Sequence, residues 1–135
     1  GSVISLKNWR SEQDSVGEAT IILRLCDDAL SELEKAYVEL QFGRVRMANS
    51  LTLLCNYLIP KWGTGVHKKR TMHMVLIMYF DFPEKITVLQ LRQLMKCSTQ
   101  KAIERKNVAF TALDELGSRV AITLYSEFTK AGLCT

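Results

Sequence analysis

A chain of 135 residues with 47% hydrophobic and 24% charged side chains is long enough to bury one core unaided and too apolar to stay disordered. Its two prolines and seven glycines are too few for a many-stranded β fold, which needs turn residues about every 8–12 positions. No apolar run approaches the roughly 18 residues of a membrane span, so what remains is an all-α single domain, a bundle of five or six helices.

Gly1-Ser2 reads as a cloning remnant, which makes a segment of a longer protein the expectation. Residues 1–15 form an N-terminal arm and 16–135 the helical domain. Trp9 stands among polar residues of the arm, and with Val3 and Ile4 it either docks on the body or covers a groove that a partner fills.

From Val16 to Leu40 apolar residues recur at gaps of three and four, among them Ile22, Leu25, Ala29, Leu33, Tyr37 and Leu40. That spacing predicts one long helix, capped by Asp14 or Ser15 and ended by Gly43. Arg44 to Ile59 predicts a second, with Val45, Ala48, Leu51, Leu54, Cys55 and Leu58 inward. Leu53, Tyr57 and Ile59 lie around the rest of it, the pattern of a helix central in the core or covered by a partner. Pro60 stops it, and residues 60–65 make a loop holding Trp62. Gly63-Thr64-Gly65 lacks a preceding strand and a following G-K-S/T, so it is a turn and not a phosphate loop.

His67-Lys68-Lys69-Arg70 precedes an apolar run from Thr71 to Phe82, read as a central helix, with Met72, Met74 and Met78 as gap-filling core or an adaptable surface. Ile86 to Leu116 carries the clearest motif. Thr87 caps a short helix with Val88, Leu91, Leu94 and Met95 on one stripe, Lys96-Cys97-Ser98 interrupts it, and Ser98 caps a longer helix facing inward through Ile103, Phe110 and Leu113. This is a helix-turn-helix-like unit over about residues 87–116, able to place its second helix in a DNA groove or to serve as scaffold. A DNA-reading turn more often has glycine where Lys96 stands, and an apolar residue where Lys106 stands. Beyond Leu116, Gly117 either breaks the helix or sits within it, and Val120–Tyr125 reads as more helix or as the strand of a wing.

The net charge of +4 hides an asymmetry. Residues 1–60 hold 6 basic and 8 acidic side chains, residues 61–106 hold 10 and 3, and residues 107–135 hold 2 and 3. The middle is strongly basic. Lys68, Lys69, Arg70, Lys96, Lys101, Arg105 and Lys106 are therefore the candidate contacts to nucleic acid or an acidic protein, with Gln100 and Arg105 directed at base edges. The alternative is a protein–protein interaction or oligomerisation domain, a homodimer included, with Trp9, Trp62 and Met72 on an apolar surface that receives a partner helix.

Catalysis is not expected. His67 lies in the basic segment and His73 interrupts an apolar run, while Asp27 and Asp28 are adjacent and diverge on a helix. Four dispersed cysteines, Cys26, Cys55, Cys97 and Cys134, lack metal-site or redox spacing. No cofactor, metal, membrane or small-molecule substrate is expected, and an intracellular compartment, nucleus or cytoplasm, is.

Overall fold

The computed structural model describes residues 24, 27–42, 48–63, 68–80, 86–130 and 132. Five helices account for most of them: α1 (Glu32–Phe42), α2 (Ala48–Leu58), α3 (Lys68–Phe80), α4 (Val88–Met95) and α5 (Thr99–Lys130), with a 3-10 turn at Ile59–Trp62. No strand occurs among the described residues. The expected all-α bundle is therefore the observed one. The arm with Trp9, and most of the helix expected from Val16, lie outside the described residues.

The first helix does not run unbroken to Leu40 as the periodicity predicts, because Asp27–Leu30 form a turn and bend and a new helix begins at Glu32. Ser31 is the reason. Its Oγ accepts from the Glu34 N–H at 3.2 Å while Glu34 Oε1 accepts from the Ser31 N–H at 2.9 Å, a reciprocal cap that satisfies two amides otherwise left orphaned. Glu32 and Glu34 also place negative charge in the first turn, where the helix dipole favours it.

α1 and α2 pack as a hairpin, tied by the Ser50 hydroxyl donating to the Glu39 carboxylate. Leu51, Leu54, Cys55 and Leu58 are buried as expected, but Ala48, Thr52, Leu53 and Asn56 are exposed. α2 is thus a one-sided helix. The central position belongs to α3, where Thr71, Met72, Val75, Leu76, Ile77, Tyr79 and Phe80 are buried and His73, Met74 and Met78 are half-buried.

α5 continues straight through Gly117 and through Val120–Tyr125, so the strand reading of that stretch is overturned. At 1.5 Å per residue its 32 residues span about 48 Å. Its inward face consists largely of small side chains, Ala102, Ala109, Ala112, Gly117 and Ala121, between Leu113, Leu116, Val120 and Leu124. Small residues bring the helix axes close. Ile103, expected inward, is exposed because Ala102 takes the buried position next to it. Gly132, in a left-handed conformation at φ 74°, lies just past the helix end.

Cys55 is 2% exposed, and burial pushes its thiol up to about 11 from an ordinary 9.0, with nearby Lys69 opposing the shift. The unfolded chain ionises above about pH 9 while the folded chain holds the proton, so this contribution is complete below pH 9 and is lost as pH rises toward 11. Thermal or urea unfolding should therefore show stability falling by about 1 kcal/mol between pH 8 and pH 10. Cys55→Ala should flatten that slope; an unchanged slope in the variant would assign the loss to another group.

A basic helix-turn-helix as the candidate functional site

Thr87 caps α4 as the sequence predicts. Its Oγ1 accepts from the Gln90 N–H at 3.2 Å and its own N–H donates to Gln90 Oε1 at 2.8 Å. Leu91 is the one fully buried residue of the expected stripe, with Val88, Leu94 and Met95 half-buried. The turn that follows puts Lys96 at φ 54°, ψ 49°. Lysine here occupies the left-handed conformation that glycine adopts at no steric cost, and the amides of Lys96 and Cys97 close on the Arg92 carbonyl. Ser98 then caps α5, its Oγ accepting from the Lys101 N–H at 3.1 Å. Helix, tight turn and helix thus follow one another without the usual glycine.

Lys68, Lys69 and Arg70 form the first turn of α3, not a loop. Lys69 and Arg70 are exposed and make no ion pair with a carboxylate among the described residues. Cations at a helix N-terminus oppose its dipole, at a cost of about 0.3–1 kcal/mol each. No carboxylate ion pair among the described residues offsets it for Lys69 or Arg70.

Trp62 limits how far the second basic segment can lie from the first. Its indole Nε1 donates to the Arg105 carbonyl at 2.8 Å, pinning the 3-10 turn to the early part of α5. Lys68 is six residues further along the chain than Trp62, so even a fully extended connection keeps the start of α3 within about 21 Å of that anchor. Trp62 is therefore half-buried and engaged, and Met72 is 0% exposed. Met72 therefore lies in the core, away from the partner-binding surface on which it was expected, and Trp9 lies outside the described residues.

The cations of the turn and α5 differ in availability. Lys96 is exposed and unpaired among the described residues, whereas Lys101 reaches Glu104 at 3.9 Å, an exposed pair that salt screens readily. Arg105 is half-buried. Lys106, at the position expected to be apolar, is also half-buried and holds its ammonium 5.1 Å from the Phe110 ring centroid. A stem laid on the protein with its charge over a ring is how lysine fits there. Gln100 and Arg105, five residues apart, point about 140° from one another on the helix, so they face different sides of it.

The charged groups around one further groove are already paired within the chain. A groove of about 470 Å³ between α1 and α2 is lined by Glu32, Lys35, Glu39, Asn49, Ser50 and Leu53, among others. Lys35 is bound to Asp27 at 3.1 Å and Glu32 at 3.5 Å, and Ser50 to Glu39. Among the described residues no His, Cys, Asp and Glu cluster is arranged to hold a metal ion, and no helix is long and apolar enough to cross a membrane. The chain matches no protein-family model, no curated protein and no solved structure.

Proposed function

We propose that the chain is a non-enzymatic binding module whose basic middle segment engages the phosphates of a nucleic acid. The observation that carries this reading is the tie between Trp62 and the Arg105 carbonyl. It bounds the distance between the cations opening α3 and those of the turn and early α5, which supports reading the two segments as contributors to one electropositive region. A phosphate there relieves the unfavourable dipole interaction at the first turn of α3 and meets Lys69, Arg70 and Lys96, which no carboxylate neutralises among the described residues. Recognition through backbone phosphates is the part of this reading that the exposed cations support, since phosphate contacts need charge and no particular base.

Fluorescence anisotropy with labelled duplex at two salt concentrations tests it, and Lys96→Gly separates binding from folding. Glycine at the left-handed position should raise stability by up to about 1 kcal/mol. The same change removes one cation, so it should weaken binding and lower the slope of log K against log salt by about 0.9. A variant more stable yet weaker in binding supports the reading. Affinity unaffected by salt, or no binding at low salt, overturns it, and salt-sensitive binding to an acidic peptide alone would transfer the surface to a protein partner.

A further inference from the structure

The outward side of α5 carries Val108, Thr111, Glu115, Ser118, Ile122 and Tyr125 at alternating gaps of three and four, the spacing that lays one helix along another. Val108, Ile122 and Tyr125 are 44%, 70% and 49% exposed, and Ile122 is the most exposed large apolar side chain among the described residues. Asp114, which accepts from Tyr79 Oη, lies on one flank of this strip; the other charged residues are Glu115 and, on the opposite flank, Arg119. They stand four apart, where a helix ordinarily pairs its own charges. No ion pair joins them among the described residues.

We infer that this strip is a self-association surface that takes α5 of a second copy running antiparallel. The register follows from the sequence. With the two-fold axis between Leu116 and Gly117, Val108 meets Tyr125 of the second copy, Thr111 meets Ile122, and Glu115 meets Ser118 with Arg119 beside it. Each apolar residue then has a partner of complementary size, and the opposite charges straddle the axis as a symmetric pairing requires. A parallel pairing sets Glu115 against Glu115, which like-charge repulsion disfavours. An unrelated partner gives no reason for the two charges to flank the midpoint of the strip. This inference is independent of the nucleic-acid reading and is tested without nucleic acid.

Sedimentation equilibrium of the whole chain should show mass rising from 15.3 kDa toward twice that value with concentration. Ile122→Glu should hold the monomer mass with an unchanged helical circular dichroism spectrum, since its side chain makes no part of the core. Glu115→Arg and Arg119→Glu should each weaken association about tenfold or more by setting like charges together. An equimolar mixture of those two variants should recover the wild-type affinity, because only the mixed antiparallel pair restores both Glu–Arg contacts. A wild-type chain that stays monomeric up to about 0.5 mM, where even weak complexes form, overturns the inference. So does a dimer that Ile122→Glu leaves intact, or a mixture that fails to recover.

Discussion

Replacing Gly117 by alanine should destabilise the fold by about 1–3 kcal/mol, although alanine is the better helix former by about 1 kcal/mol. A methyl group there would lie 2.5 Å from Tyr37 Oη and 2.8 Å from its Cζ. Tyr37 is 1% exposed, its ring packed edge-to-face on Tyr79 at 6.2 Å and on Phe80 at 5.3 Å between centroids, so it has little room to withdraw. The cause can be isolated. In a double-mutant cycle with Tyr37→Phe, which removes the closest atom, the alanine should cost less than in the wild type, giving a coupling of at least about 0.5 kcal/mol. Additive effects would place the strain elsewhere, and a stabilised single variant would mean that α1 and α5 slide apart freely.

Tyr79→Phe should cost about 1–3 kcal/mol, or about 3–5 °C in Tm for each kcal/mol lost. Tyr79 Oη donates its one proton to Asp114 Oδ1 at 2.7 Å, so the 3.0 Å contact between the two tyrosine hydroxyls is Tyr37 donating to Tyr79. Losing Tyr79 Oη strands the Tyr37 hydroxyl in the core. Asp114→Asn keeps an acceptor oxygen and should cost distinctly less than Tyr79→Phe. Burial, followed by repulsion from Tyr37 and Asp114 when they carry negative charge, raises the Tyr79 pKa far above 10.0, and burial is also the main cause of the upward shift of Tyr37. Because the folded state holds these protons more tightly, their contribution is complete below pH 10 and disappears as pH rises above it. The alkaline limb of a stability profile should therefore be shallower in Tyr79→Phe, and equal limbs would show that the tyrosines do not titrate with unfolding.

The helical class was legible from scarce proline and glycine, and the two caps of the helix-turn-helix from Thr87 and Ser98, because each is a local chemical preference that tertiary contacts left in force. The start of α1 was hidden by a periodicity that runs in phase across Asp27–Leu30, even though the local pair Ser31 and Glu34 names the cap. Hydropathy picks out large residues, so it chose Ile103 over Ala102, whereas burial on α5 follows the close approach that alanines permit. The link between Trp62 and Arg105 joins residues 43 apart in sequence. No spacing rule reports such a contact. Tyr37, Tyr79 and Asp114 likewise come from three helices and meet only in the fold.

The continuity of α5 past Gly117 also makes it a ruler. In the antiparallel pairing inferred above, the two Arg105 positions fall about 35 Å apart along the axis and on the same flank of the pair. That is close to one turn of B-form duplex, about 34–36 Å. A paired form acting on DNA would then meet phosphates at two places about one turn apart, with the interval fixed by the helix backbone instead of by a linker.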